Sequence, residues 1–364
     1  MNPRVFKLTA LLAVVGVLLA VGFVTPGRSG KSRGVPAGPT PSVVPALPSP
    51  AAVQTKSKGV IEDILDRLQK RTITPAELLA FRQALLDGDP AVVIPQIRAF
   101  LATGKDVTTG FSFELGKDGA LERAPTLRLV LLDVLGRLSR KARTADAADV
   151  SREILSAKKS SDEWAVALRN VAWSDPQSGS FLASKFTEML DDESWRAQPS
   201  SGFLEAFDVA VFSKEVSLME PLNEALRDPQ PDLQRAAAVA LDRLAEAAPL
   251  DVMQKLNSQP EMFSDYPFLR ADWFAKADFR EPAQRAAFEA YLARPDVTVA
   301  EKSKALKALA SPGQFVSENL ITAPPSLKDD AEREVAILAA TTDWRQKFPN
   351  LAEPLLTLRE RLAR

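Results

Sequence analysis

Residues 221–248 read PLNEALRDPQPDLQRAAAVALDRLAEAA. Apolar or small residues fall at Leu233, Ala236, Ala237, Ala240, Leu241 and Leu244, the one-face spacing of an amphipathic helix. Leu222, Ala225 and Leu226 outline a shorter apolar helix ahead of it, and Asp228-Pro229-Gln230-Pro231 between the two is a tight turn. The stretch predicts helix, turn, helix. Such a pair cannot bury its apolar face by itself, so it requires neighbours stacked against it.

The same register recurs upstream. Residues 127–138, LRLVLLDVLGRL, lie without gaps over 233–244 and keep the apolar face at all of the corresponding positions. Looser copies begin at Trp164 (with Ala167, Leu168, Val171 and Ala172) and at Phe203 (with Ala206, Phe207, Ala210 and Val211). Their steps, about 37, 39 and 30 residues, fall within the range of two-helix repeats.

On these residues the chain resembles the HEAT-repeat family, whose second helix follows an Asp-Pro turn and carries a small-residue, Arg-led pattern. Asp228-Pro229 and Ala236-Ala237-Ala238-Val239-Ala240-Leu241 match it, as do Arg128 and Leu135-Gly136-Arg137-Leu138 in the earlier copy. Gln234 stands where the family places its turn-binding Arg, with Arg235 one position late. The resemblance is specific for about two units between 120 and 250. It implies an all-α fold, an α-α superhelix, and a surface that binds protein.

Composition bounds the chemistry. The chain has 364 residues, 46% hydrophobic and 26% charged, with no Cys and no His. Disulfides, thiolate nucleophiles, imidazole bases and the usual zinc sites are therefore excluded, and no cofactor is expected. Of 46 basic and 47 acidic residues, seven basic and no acidic ones fall in Met1 to Lys58, which leaves the remainder at a net charge of −8. An acidic body has no field to gather phosphate backbones, so nucleic acid is not an expected partner.

The expected organisation is a basic flank at 1–7, an apolar segment at 8–24, a Pro-rich linker at 25–58 and a helical-repeat domain at 59–364. Leu8 to Val24, LTALLAVVGVLLAVGFV, is uncharged and follows Arg4 and Lys7. It reads either as an uncleaved membrane anchor or as a secretory signal cut near Ala20-Val21-Gly22. The apolar run continues past that point, which favours the anchor. Arg28, Lys31 and Arg33 nearly balance the flank before it, so charge alone does not orient it. Its early, signal-like position places the main domain on the extracytoplasmic, periplasmic side, secreted if the segment is cut. The linker carries seven prolines between Thr25 and Thr55 and reads as an extended, disordered spacer. Thr25 to Ser32, TPGRSGKS, misses the phosphate-loop pattern at its first Gly, and Arg33-Gly34-Val35-Pro36 follows where a helix should start.

Helices are expected from near Val60. Thr74 to Glu77, Ser160 to Glu163, Thr298 to Glu301 and Ser326 to Asp329 have the spacing of reciprocal capping boxes, and Asp89-Pro90 and Glu281-Pro282 mark further starts. Phe111 to Leu115 alternates and Lys117-Asp118-Gly119 supplies a turn, which predicts a small β-hairpin at 111–123 projecting from the array.

Candidate chemistry is sparse. Asp191-Asp192-Glu193 and the 329–334 cluster sit at helix starts, where carboxylates complement the dipole. Acid and base work on a glycoside would need two opposed carboxyls roughly 5 to 10 Å apart. Ser156 and Lys159 have Ser-x-x-Lys spacing, but the companion motifs of that acyl-transfer site are missing from the chain. The aromatics Trp164, Trp173, Phe181, Phe186, Trp195, Phe203, Phe207 and Phe212 fit core positions. Those between Met262 and Phe279 fit no single helical face, because Pro260, Asp265, Pro267 and Asp272 interrupt them. Among these, Phe263, Tyr266, Phe268 and Trp273 are the candidate protein-binding rim, since aromatics supply much contact area for little entropy. The function expected is a membrane-tethered scaffold or adaptor that binds protein without catalysis. A carboxylate hydrolase or lyase acting on envelope polysaccharide is the alternative.

Overall fold

The computed structural model describes residues 50–311, 313, 319–323 and 331–363. The apolar segment at 8–24, the TPGRSGKS motif, the Pro-rich stretch before residue 50 and the Ser326 cap lie outside them. Among the described residues no helix is long and apolar enough to cross a membrane.

The chain is all-α apart from one two-stranded hairpin among the described residues. Helices α1 (Pro50–Gln69), α2 (Pro75–Asp87) and α3 (Pro90–Ala102) precede strands β1 (Glu114–Leu115) and β2 (Leu121–Arg123). There follow α4 (Leu127–Ala142), α5 (Asp146–Ala157), α6 (Ser161–Ser174), α7 (Gly179–Leu190), α8 (Glu193–Ala197), α9 (Ser201–Glu205) and α10 (Asp208–Ser213). Then come α11 (Met219–Leu226), α12 (Pro231–Ala247), α13 (Pro249–Ser258), α14 (Pro267–Phe274), α15 (Pro282–Ala293), α16 (Val299–Leu309), α17 (Ala331–Lys347) and α18 (Ala352–Leu362). Helix α1 begins nine residues ahead of the expected domain start at 59, with Pro50 preset for a first helical turn and the helix formers Ala51 and Ala52 behind it.

One row of helices packs in chain order: α2 on α4, α4 on α6, α6 on α9, α10 on α12, α12 on α14, α14 on α16 and α16 on α18. Most others lie alongside it, α3 on α4, α5 on α4 and α6, α7 on α6 and α10, α11 on α12, α13 on α12 and α14, and α17 on α18, while α1, α8 and α15 pack on α3, α7 and α13. Each repeat unit found in the sequence starts in the first turns of a row helix, namely α4, α6, α9 and α12. In α4 the apolar positions reach all round the helix, and Leu127, Leu129, Leu131, Leu132, Val134, Leu135 and Leu138 are all buried, as expected of a helix with neighbours on several sides. The third copy is broken between α9 and α10. There Phe207, Val209 and Ala210 each bond to the carbonyl three residues back, a local tightening of the helix.

Caps fix several starts. Thr74 and Glu77 form the full reciprocal box of α2. At α6 and α16 only half of the expected box forms: Ser160 and Thr298 accept the N3 amides, but the N3 carboxylates turn to arginines instead. Glu163 takes Arg128 in a two-pronged pair (2.8 and 3.2 Å), and Glu301 takes Arg270 likewise (2.8 and 3.0 Å). Each of these arginines also donates to a preceding carbonyl, Leu101 and Pro260 respectively. A bidentate guanidinium thus links two consecutive row helices, and its further donor holds the chain that leads into the first of them. Gln234, at the equivalent position in α12, reaches the Asp228 carbonyl at 2.8 Å.

The hairpin is present, with Glu114 opposite Arg123 and Leu115 opposite Leu121, but it does not project. It folds down onto α4 and α6 because its turn is tied to buried charge. Arg169, fully buried, donates to the Gly119 carbonyl at 2.6 Å and to Asp133 at 2.7 Å. Asp133, also fully buried, accepts the Leu121 amide at 3.0 Å and Arg82 at 3.0 Å.

Candidate functional site

The candidate rim divides in two. Phe268 opens α14 and is 56% exposed. Tyr266 is half-buried, its hydroxyl donating to the Leu226 carbonyl at 3.0 Å. Phe263 and Trp273 are buried beneath them, ring edge to face with centroids 4.7 Å apart. Phe263 holds a left-handed backbone (φ 59°), a conformation that bulky residues adopt only when their surroundings impose it. Of the four, Phe263 and Trp273 pack on each other in the core, and Phe268 alone is a large exposed ring. Trp164, Phe186, Phe203 and Phe207 lie in the core, whereas Phe181 is exposed and Trp173 carries the Arg169 guanidinium 4.2 Å above its ring.

The acidic clusters do structural work. Asp192 caps α8, accepting the Ser194 and Trp195 amides, and Glu332 and Glu334 stand in the first turn of α17. Ser156 donates to the Glu153 carbonyl at 2.7 Å, the bond of a helical serine to its own backbone.

Polar side chains converge around a cavity where the broken helix meets α12. The tightened turn after Ala206 sets Asp208 at the start of α10, nearly buried. Its Oδ2 accepts the amides of Ile321 and Thr322, both at 2.7 Å. Its Oδ1 accepts the Thr322 hydroxyl at 2.7 Å and Arg243 of α12 at 2.9 Å. Arg243 also reaches the Asn319 side-chain oxygen and the Thr322 hydroxyl, each at 2.6 Å. Beside this knot opens a cavity of about 220 Å³ lined by Glu205, Arg235, Ala236 and Arg243 among others. Burial pushes the Glu205 carboxyl up to about 7, with the Asp208 carboxylate adding to the rise and Arg243 opposing it.

No sequence signal joins these groups. Asp208 and Thr322 are far apart in the chain, and an Asp at a helix start reads as a cap. No protein-family model, curated protein or solved structure matches this chain. Among the described residues no cluster of acidic side chains has the makings of a metal site.

Proposed function

We propose that the chain is a membrane-tethered scaffold or adaptor: a HEAT-like α-solenoid, held off the bilayer by the Pro-rich segment after an anchor at 8–24, that binds protein through its helical surface without catalysis. The domain is extracytoplasmic in this reading. The observation that carries it is the row of helices packed strictly in chain order, since nearest-neighbour stacking of hairpins is how repeat proteins build extended binding walls. A rigid wall loses little entropy when a partner docks. The exposed Phe268 on α14 supplies an apolar contact of the kind that anchors an interface.

The test is crosslinked capture from the native membrane with the full chain and with Phe268→Asp. The altered chain keeps its helicity and loses at least tenfold of a specifically recovered protein. Equal recovery by both chains removes the role of this face.

A second reading is favoured by one observation, the Glu205 carboxyl near neutrality on a cavity. Such a group suits acid catalysis on an envelope polysaccharide, but Asp208 beside it has four donors on its two oxygens and is occupied in holding the chain. Turnover of such a glycan that disappears in Glu205→Gln would establish the enzyme.

A further inference from the structure

The connection between α16 and α17 takes a route that joining two helices does not require. Arg333, in the first turn of α17, donates to the carbonyl of Leu309, the last residue of α16, at 3.2 Å. The two ends are thus within one side chain's reach, and about 2–8 residues normally suffice for such a link. Here the link runs from Ala310 to Asp330, and of its described residues Asn319 to Ala323 lie instead against α10, α12 and the hairpin.

What holds that part is a seat with the chemistry of peptide recognition. Asp208 accepts two consecutive backbone amides and a hydroxyl. Arg243 reads a side-chain amide oxygen two residues before the first of those amides. Leu320 is fully buried, and its carbonyl passes so close to Gly119 that an added Cβ there would lie 2.1 Å away. Backbone hydrogen bonds hold the bent segment, and the Asn, Leu and Thr side chains give it identity. The strap does not fill its surroundings. Arg243 lines both the cavity of about 220 Å³ and a second of about 440 Å³ walled by Phe212, Lys214 and Glu246, so the seat has room on either side for more than the strap puts there.

We propose that this seat is a recognition site for a short bent peptide segment, occupied in this structure by the chain's own Asn319–Thr322, whose consecutive Ile321 and Thr322 amides converge on one Asp208 oxygen. The partner segment that competes for it carries an Asn or Gln, a Leu, any residue, and a Thr or Ser in that order. The proposal rests on the protein-binding reading above, but its test requires no natural partner. Failure at the seat therefore leaves the Phe268 face standing, and the reverse also holds.

A capped, dye-labelled peptide Asn-Leu-Ile-Thr-Ala is titrated, by fluorescence anisotropy, into three full-length proteins: the unaltered chain, the strap variant Asn319→Gly/Leu320→Ser/Thr322→Gly, and that variant with Asp208→Asn added. An occupant in the same chain competes at an effective concentration on the order of 1 mM. The strap variant therefore binds peptide at least tenfold more tightly than the unaltered chain, and Asp208→Asn removes that binding. A folded strap variant that ignores the peptide, or binds it regardless of Asp208, overturns the proposal. If the strap variant does not fold, hydrogen exchange on the unaltered chain decides. Peptide in excess of about 1 mM speeds exchange at the Ile321 and Thr322 amides while α12 is unchanged, and unaltered exchange at those two amides overturns the proposal.

Discussion

Replacing Asp133 with Ala removes the one carboxylate that two arginines and a backbone amide share. Arg169, at 0% side-chain exposure, and Arg82, at 18%, both pair with it, and the Leu121 amide loses its acceptor as well. Removing one partner of a buried ion pair costs about 3–5 kcal/mol, because the remaining charge stays buried and uncompensated. A stranded amide adds about 1–3 kcal/mol. The two overlap in space, so the sum is capped near 6 kcal/mol. Asp133→Asn keeps an acceptor for the Leu121 amide and should cost about half as much, roughly 2–3 kcal/mol. The diagnostic comparison is Asp133→Leu with and without Arg169→Met: removing both charges recovers about 2 kcal/mol relative to Asp133→Leu alone. Urea unfolding followed by circular dichroism measures each of these proteins. Hydrogen exchange at the Leu121 amide reports separately whether the hairpin has come away from α4. Asp133→Ala within about 1 kcal/mol of the unaltered protein, or strictly additive effects in the double variant, would refute the idea that this pair holds the hairpin down.

Two predictions concern pH. The Glu205 carboxyl is raised to about 7 from a usual 4.5, mainly by burial, so the folded state holds its proton more tightly than the unfolded. Its stabilising effect is complete below pH 4.5 and is lost as pH rises to 7. Glu205→Gln should therefore gain up to about 3 kcal/mol over the unaltered chain at pH 8 and nothing at pH 4, measured by urea midpoints at the two pH values. Glu289 is the opposite case. Burial alone would raise it, but Lys347, the Trp344 indole and Arg285 together hold it at about 2, so its contribution is complete above pH 4.5 and lost as pH falls toward 2. Glu289→Gln should flatten the acid limb of the melting-temperature profile in that window, and an unchanged limb would count against the α15 to α17 linkage.

Legibility in the sequence tracks distance along the chain. The stripe from Leu127 to Leu138, the Asp-Pro turn before α12 and the Thr74 box are readable because each is a local periodicity or a side chain answering its own backbone. The hairpin is readable from its alternation and Asp118-Gly119, but its direction is not, since Arg169 comes from α6. Ser160 and Thr298 cap their helices as their spacing implies. Their glutamates find a different partner from the one that spacing implies, because Arg128 and Arg270 arrive from the preceding row helix with more charge than a backbone amide offers. Around Phe263 and Trp273 the prolines erase the helical period that would mark them as core. The seat at Asp208 is beyond the reach of sequence: its donors come from α12 and from a connection over a hundred residues downstream, and nothing local distinguishes Asp208 from a cap.

In the scaffold proposal, hairpins shelter one another in chain order and this stacking is the working surface. Ending the chain at Asp330 removes α17 and α18, and with them Trp344, which packs on Phe279 and Phe288 at 5.3 and 5.4 Å. Backbone hydrogen exchange of the shortened and full chains is the direct comparison. Nearest-neighbour stacking predicts lost protection in α14, α15 and α16, with α4 and α6 protected as before. Equal loss along the whole chain, α4 and α6 included, would contradict it.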